Sequence, residues 1–389
     1  MKNSSHRFES LDALRGIAAL FIALVHFPPI FLGADFAPLR HSYVLTNLFF
    51  ALSGFIIMSA YGDKLTSWAQ YADFSKHRLY RLAPLHVVTS VAILAVPYVA
   101  YGSNLLLTWL LTGRYAGDMP DVPVDWHAYM LHVLMLQGFG LLDHLVFNFP
   151  AWSMGAIFFC TLTLGLIVTL APRWRAALFT LIAAVAFYVV AAYSPTYMGA
   201  TYDYGIFRAL NSYFMGTLTF LFWRRVQLHE LAKHWAVLWQ SLALVGVFWY
   251  ATWVGVDSAK SLGLPLLFAG LMWAFAFDQG DYARFLRHRW CKWLSERSYS
   301  LFMNQSMFLF LGHQTLDWTH ALQLNTWDAR VWGTLAAAAY LGILLVVSNW
   351  TYKNIELRFA PRKNAHAAAG KAGGSRQTAL DAPASTSAI

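Results

Sequence analysis

Apolar runs long enough to cross a lipid bilayer recur along nearly the whole chain. A transmembrane helix needs about 20 consecutive residues that are mostly apolar. About ten runs of that length occur in the 389-residue sequence, at residues 11–32, 43–61, 84–102, 151–171, 176–194, 206–223, 235–254, 262–277, 298–315 and 331–350. The pattern predicts an all-α fold, a polytopic membrane helix bundle of about ten spans.

The composition agrees with a chain that is embedded in lipid. Hydrophobic residues make up 58% of the sequence and charged residues 12%, whereas a soluble domain has roughly 45–50% apolar and about 25% charged residues. So few charges cannot cover a water-facing surface. The lipid bilayer is therefore the predicted partner of most of the chain, and any chemistry must take place inside the bundle or at its edge.

Lysine and arginine residues are distributed unevenly between the loops, which predicts the orientation of the bundle. If both termini are cytoplasmic, the inner loops hold Lys64, Lys76, Arg78, Arg81, Arg173, Arg175, Arg224, Arg225, Lys233, Arg284, Arg287, Arg289, Lys292 and Arg297, and the outer loops hold Arg40, Arg114, Lys260 and Arg330. The block at 104–150 then makes no net crossing, and we predict that it is a re-entrant or outer-surface element. This orientation explains the formal charge of +9, so no nucleic-acid partner is predicted.

Residues 360–389 differ from the rest of the chain. They are rich in Ala, Gly, Ser, Thr and Pro with scattered charges, a composition typical of a disordered segment, here a cytoplasmic tail. The two cysteines, Cys160 and Cys291, lie far apart in sequence, which supports neither a disulfide framework nor a metal site. No metal is therefore predicted.

Three ionisable residues lie in the first apolar run. Arg15 and His26 are eleven positions apart, so a helix places them on one face and about 16 Å apart along its axis. Asp12 precedes Arg15 by three positions and can pair with it. An ionisable group at membrane depth indicates a functional site by default. The alternative is that Arg15 reaches the lipid headgroups and that His26 is a satisfied histidine of the bundle.

A cationic stretch precedes the third run. The sequence FSKHRLYRLAP at 74–84 contains Lys76, Arg78 and Arg81. Arg78 and Arg81 face the same way in a helix, so their two guanidinium groups can bind phosphate groups bidentately. The alternative is ordinary anchoring by positive residues on the cytoplasmic side.

Other polar residues occur at membrane depth, among them Ser153, Arg208 and Gln305. Most such groups form hydrogen bonds between helices. Arg208 is the exception, because it is a charge near the start of a run that begins on the outer side, and it is a candidate substrate contact. Trp152 belongs to the interfacial aromatic belt or stacks on a sugar ring, and the sequence leaves both open.

Five short motifs carry a resemblance to a known family. They are LDALRGIAALFIALVHF with Arg15 and His26, FFALSGFII at 49–57, the Arg-x-x-Arg of FSKHRLYRLAP, PAWS at 150–153 and SYSLFM at 298–303. In this order they resemble the acyltransferase-3 family of integral membrane acyltransferases. The resemblance covers residues 8–355, which would form one membrane acyltransferase domain.

The resemblance implies an O-acyltransferase. Such an enzyme moves an acyl group, usually acetyl from cytoplasmic acetyl-CoA, to a hydroxyl of an extracytoplasmic polysaccharide or other glycan. It implies a multi-pass protein of a bacterial-type cytoplasmic (inner) membrane. Position by position, Arg15 and His26 match the family's Arg-x10-His pair, and Arg78 and Arg81 match its Arg-x-x-Arg pair.

Two positions depart from the family pattern. Many members carry a glutamate five residues after the tryptophan of PAWS, and here that residue is Ile157. Many also carry a histidine seven residues after the first serine of SYSLFM, where this chain has Gln305. These differences imply either a different way of binding the acceptor or a weak or inactive enzyme.

The leading hypothesis is direct acyl transfer. The catalytic group is His26, which acts as general base on the acceptor hydroxyl, together with Arg15 and Asp12 along the donor path. The phosphates of CoA are held by Arg78, Arg81 and Lys76. The expected acceptor contacts are Arg208, Trp152, Ser153 and Gln305.

Three alternatives stay open on the sequence alone. The acyl group could pass through a covalent intermediate on His26. The same stripe could belong to a transporter or flippase of an acyl or lipid-linked sugar substrate. The chain could also be a non-catalytic relative that is retained as a partner of glycan-assembly proteins.

Overall fold

Helices make up all the regular structure of the described chain, which comprises residues 8–112, 123–226, 229–253 and 258–359 of a computed structural model. In the first half they are α1 Glu9–His26, α2 Leu45–Tyr61, α3 Trp68–Ala92, α4 Val96–Thr112, α5 Trp126–Val133, α6 Ala151–Leu170 and α7 Arg175–Tyr193. In the second half they are α8 Gly205–Arg225, α9 His229–Trp253, α10 Leu264–Phe275, α11 Gly280–Leu286, α12 Arg289–Glu296, α13 Ser298–Asn304, α14 Phe310–Ala321 and α15 Thr326–Thr351. The all-α prediction is confirmed for these residues.

Several helices are long and apolar enough to cross a bilayer. Within the described residues they are Ser42–Tyr61, Trp68–Leu110, Ala151–Leu170, Arg175–Tyr193 and Thr326–Phe359. A sixth span results if Ala259–Phe275 and Gly280–Leu286, which are bent by 90° against each other, count as one. The prediction of several membrane helices is confirmed, whereas the number ten and the cytoplasmic position of both termini stay predictions.

α1 is less apolar than these helices. It carries Glu9, Asp12 and Arg15 within its 18 residues. Its start is fixed from another part of the chain, because the backbone N–H groups of Glu9 and Ser10 donate to the carboxylate of Asp278, over 3.1 and 2.8 Å. A carboxylate at this end satisfies free backbone donors and favours the helix dipole.

The third predicted span is longer than its apolar run. The helix begins at Trp68, where the Ser67 hydroxyl accepts from the backbone N–H of Gln70 at 3.3 Å, and it continues past Pro84 and a 3₁₀ turn at Ile93–Ala95 into α4. Proline is tolerated in membrane helices because neighbouring groups satisfy the freed backbone carbonyl. Residues 104–112 continue this helix without a break at 104, and the re-entrant or outer-surface position of the block stays a prediction.

The rest of that predicted element is only partly described. It consists of α5 and an irregular segment at 134–150. Residues 113–122 lie outside the described residues, as does the predicted tail at 360–389. The ninth predicted span, at 298–315, is interrupted by a 3₁₀ turn, Gln305–Phe308, between α13 and α14.

α2 and α8 pack against each other at backbone distance. A Cβ atom added to Gly54 would lie 2.0 Å from the carbonyl oxygen of Tyr213, and one added to Gly216 would lie 1.9 Å from that of Ala51. Small residues allow membrane helices to approach this closely and to gain van der Waals contact. This helix pair forms the centre of one apolar cluster, which includes Phe50, Phe55, Phe179 and Phe214.

A second apolar cluster surrounds the other half of α1. Ala19, Ile22 and Ala23 of α1 pack there with Phe302 of α13 and Tyr340 of α15. The first half of α1 packs into the cluster around α2 and α8. α1 therefore passes through both cores and has its two ends in different surroundings.

The close approach of α2 and α8 predicts a stability effect. In Gly54→Ala the added methyl group must displace the α8 backbone, which costs about 1–3 kcal/mol of unfolding free energy. The matched control is Gly270→Ala in α10, where an added Cβ meets nothing within 4 Å. Thermal unfolding in detergent should show a lower midpoint for Gly54→Ala only. Equal midpoints for the two variants would contradict the packing described here.

Candidate active site

A cavity of about 300 Å³ opens among α1, α2, α3, α6 and the junction of α12 with α13. Its polar wall is formed by Arg15, Arg78, Arg81 and Glu296. Its apolar wall is formed by Phe49, Ile56, Ile57, Met154, Ile157 and Phe158. The cavity therefore combines three guanidinium groups with an apolar surface of α2 and α6.

Arg78 and Arg81 face the same cavity, as their spacing predicts. The guanidinium carbon of Arg78 lies 4.9 Å from the ring centre of Tyr61 and 5.3 Å from that of Phe74, a cation–π arrangement that holds the charge in place. The buried Nε of Arg78 has no hydrogen-bond partner among the described residues. A buried donor of this kind needs a partner, and an anionic ligand in the cavity would supply one.

Arg15 reaches the cavity from α1. Its Nη2 lies 3.8 Å from the Asp12 carboxylate and donates to the carbonyl oxygen of Ser295 at 3.5 Å. The pairing of Asp12 with Arg15 that the spacing predicts is thus confirmed. Gly16 allows this approach, because a Cβ there would lie 2.6 Å from the backbone nitrogen of Ser295.

Lys76 does not face the cavity, unlike Arg78 and Arg81. It is exposed on the same helix and is not among the residues that line the cavity. The apolar residue Ile157, in contrast, does line it. The position at which the resemblance leads one to expect a carboxylate is therefore part of the apolar wall.

Glu356 is a buried carboxylate beside the cavity that the sequence analysis missed. It lies in a π-helical turn, Tyr352–Glu356, that follows α15, and it accepts a hydrogen bond from the hydroxyl of Ser300. The charges of Arg81 and Arg15 act on it. π-helical turns often mark functional sites. The sequence offered one signal for this site, the negative charge of Glu356 six residues after the last predicted span. The structure shows that the helical segment continues past it to Phe359.

His26 ends α1, on the far side of the second apolar cluster from Arg15. Its Nδ1 lies 3.2 Å from the Oε1 of Gln305. Its ring and that of Phe149 are in edge-to-face contact, with 4.9 Å between ring centres. The side chain is partly exposed. An imidazole can take up and release a proton near neutral pH, which makes His26 a candidate for proton exchange.

The structure aligns Arg15 and His26 but does not bring them together. Ala19 and Ile22 lie between them on the same face of α1, at steps of three and four residues. Both are buried in the cluster that also contains Phe49 and Met154, the residues where the cavity and the second cluster meet. We call Ala19, Ile22, Phe49, Met154 and Phe302 the apolar layer. It separates the cavity from His26.

The four candidate acceptor contacts are all in the interior. Arg208, Trp152, Ser153 and Gln305 are between 0 and 5% exposed. The guanidinium of Arg208 donates to the side-chain oxygen of Asn47 and to the carbonyl oxygen of Ala200, both at 2.9 Å, and it lies 5.4 Å from the Trp152 ring centre. These contacts hold α8 to α2 and α6, so direct contact with an acceptor would require this region to open.

The charge of Arg208 predicts how much unfolding free energy is lost when its partner Asn47 is replaced. Asn47→Ala removes a buried hydrogen bond to a charged group and should lower the unfolding free energy by about 1.5–3 kcal/mol. Ser212→Ala is the matched control, because Ser212 donates to the same oxygen of Asn47 at 3.3 Å but leaves Arg208 bonded. The expected loss of unfolding free energy in Ser212→Ala is about 0.5–1.5 kcal/mol. Denaturant or thermal unfolding in detergent measures both, and equal losses would contradict the assignment.

Comparison with known proteins supports the family resemblance. The family model described as "Acyltransferase domain" matches residues 8–352. A curated relative named "Protein 2 in picA locus", from Rhizobium radiobacter, is 44% identical over 94 residues, which are 24% of this chain and 47% of that protein. The chain thus covers about half the length of this relative. No solved structure matches this chain.

The family match extends from the start of α1 into the π-helical turn that contains Glu356, and thus includes every helix that lines the cavity. It also includes the apolar helices that are long enough to cross a bilayer, the last of them up to residue 352. The chain therefore belongs to the acyltransferase-3 family.

Proposed function

We propose that the protein is an O-acyltransferase that moves an acetyl or other acyl group from cytoplasmic acyl-CoA to a hydroxyl of an extracytoplasmic polysaccharide or other glycan. The observation that carries this proposal is the cavity in which Arg15, Arg78 and Arg81 meet an apolar wall. CoA combines phosphates with a long and mostly uncharged pantetheine arm. The cavity offers a matching surface to each part.

The donor enters with its phosphates at the arginines. Arg78 and Arg81 hold the phosphates through charge-assisted hydrogen bonds, which are about twice as strong as neutral ones. Lys76, exposed on the same helix, adds attraction at the mouth without touching the bound donor. The pantetheine arm lies along Ile57, Ile157 and Phe158, and the thioester points towards the apolar layer.

The transfer itself is a substitution at the thioester carbon. His26 takes the proton of the acceptor hydroxyl as the hydroxyl oxygen attacks the carbonyl carbon. The carbon–sulfur bond then breaks, the acyl–oxygen ester remains on the acceptor, and the CoA thiolate leaves. The thiolate receives the proton from the His26 imidazolium, so the histidine returns to its starting state.

The acceptor approaches the end of α1 where His26 is partly exposed. Arg208, Trp152 and Ser153 are buried, so in this proposal they would meet the acceptor only if the region around them opened. If the termini are cytoplasmic, His26 lies towards the outer face of a bacterial inner membrane, on the side where a glycan is available. The apolar layer must part so that the thioester at the end of the pantetheine arm reaches His26.

Release of CoA from acetyl-CoA tests the proposal. The full-length protein in lipid nanodiscs receives acetyl-CoA, and surface polysaccharide that has been de-esterified by mild alkali serves as acceptor. His26→Ala should lower kcat by about 10²–10⁴-fold, the usual contribution of a general base. Arg78→Met should raise KM for acetyl-CoA about tenfold or more, since one charge-assisted hydrogen bond of about 1.5–3 kcal/mol is lost.

The control is Arg173→Met, which removes an exposed arginine that does not line the cavity. It should behave as the unaltered protein does. Mass spectrometry of the polysaccharide must show acetyl esters in proportion to the CoA released. Full activity of His26→Ala and Arg78→Met, or the absence of acceptor-dependent CoA release, would overturn the proposal.

A further inference from the structure

Gln305 occupies the break between α13 and α14, where the chain changes to a 3₁₀ turn. Its side chain is fully buried. Two hydrogen bonds use the two ends of its amide group: Oε1 lies 3.2 Å from the Nδ1 of His26, and Nε2 donates to the carbonyl oxygen of Phe302 at 3.1 Å.

The second of these bonds determines how the amide is oriented. A backbone carbonyl can only accept, so the end of the amide that faces Phe302 must be the NH₂ group. The end that faces His26 must then be the oxygen, which can only accept as well. The hydrogen of the imidazole ring therefore lies on Nδ1, and the other ring nitrogen, Nε2, carries a free lone pair.

We propose that Gln305 is a positioning residue that holds His26 in the tautomer whose Nε2 can accept the proton of the acceptor hydroxyl. This inference rests on the proposed function, in which His26 is the general base. It replaces the expectation that Gln305 contacts the acceptor. The amide does for His26 what a carboxylate does for the histidine of a catalytic triad, but without a charge.

The surroundings hold this pair in place. The hydroxyl of Tyr340 lies within hydrogen-bond distance of the backbone carbonyl oxygens of Gln305 and Ala23, at 3.3 and 3.2 Å. It thereby ties the 3₁₀ turn to α1 one turn before His26. Phe149 packs on the ring from another side. Of the described residues, Gln305 is the one that hydrogen-bonds to the ring, and the contacts from α6, α13 and α15 bring no charged group to it.

A neutral partner has a chemical consequence. A carboxylate beside Nδ1 would stabilise the imidazolium and keep the ring protonated to higher pH. The amide orients the ring equally well but leaves it neutral, and only the neutral ring can act as a base. The pair is thus arranged for proton acceptance.

Two substitutions separate positioning from a structural role. Gln305→Met keeps a side chain of similar length but offers no oxygen to Nδ1, so kcat should fall about tenfold, the cost of one hydrogen bond, while KM for acetyl-CoA stays unchanged. Gln305→Glu restores the acceptor oxygen towards Nδ1 but loses the donor to the Phe302 carbonyl oxygen, so kcat should recover in part at high pH. The acid limb of its pH profile should move to higher pH, because the added carboxylate favours the protonated ring.

The matched control is Ser306→Ala. Ser306 is the next residue of the same turn and donates to the side-chain oxygen of Asn148 at 2.6 Å, but it does not contact His26. Ser306→Ala removes this hydrogen bond and tests whether the loss of any hydrogen bond in this turn lowers activity. We expect its kcat and its pH profile to match those of the unaltered protein.

The assay measures CoA release from acetyl-CoA with de-esterified polysaccharide, between about pH 5 and 9, the range that brackets an imidazole. The proposal is overturned if Gln305→Met has full kcat, if Gln305→Glu is no better than Gln305→Met at any pH, or if Ser306→Ala loses as much as Gln305→Met. Full activity of Gln305→Met with an inactive His26→Ala refutes the role of Gln305 alone. Full activity of His26→Ala refutes the proposed function, and the tautomer role with it.

Discussion

The cost of holding positive charge inside an apolar bundle determines how this protein is assembled. A half-buried guanidinium needs partners, and Arg15 has one within α1 and others in distant parts of the chain. Arg15 has Asp12 beside it and the carbonyl oxygen of Ser295 across from it. Glu356, more than 340 positions after Arg15, lies under the influence of both Arg15 and Arg81. The first helix and the end of the last are thus held around one group of charges.

α1 is the element that relates the two halves of the proposed reaction. A helix is stiff, so the distance between Arg15 and His26 is set by about three turns of regular backbone rather than by loops. The close contact of Gly16 with the backbone at Ser295 holds one end, and the contact of His26 with Gln305 holds the other. The proposed donor site and the proposed general base are therefore separated by a fixed length, which the substrates would have to span.

Periodicity and charge allowed much of this to be predicted. The helical spacing placed Arg78 and Arg81 on one face and paired Asp12 with Arg15, because these relations are local to a helix. The continuation of α3 past Pro84 and the helix break at Gln305 could not be predicted, because both depend on neighbours that are distant in sequence. The same holds for the orientation of the Gln305 amide, which is decided by the Phe302 carbonyl.

The apolar layer has a consequence for the membrane itself. The charged cavity lies on one side of this layer and the titratable His26 on the other. A continuous file of water between them would conduct protons and discharge the ion gradients on which a cell depends. Ala19, Ile22 and Phe302 offer no polar group to such a file. In the proposed reaction this layer parts for the thioester, whereas in the closed layer a hydrated ion would lose its solvation. The same packing that separates the two sites also insulates the membrane.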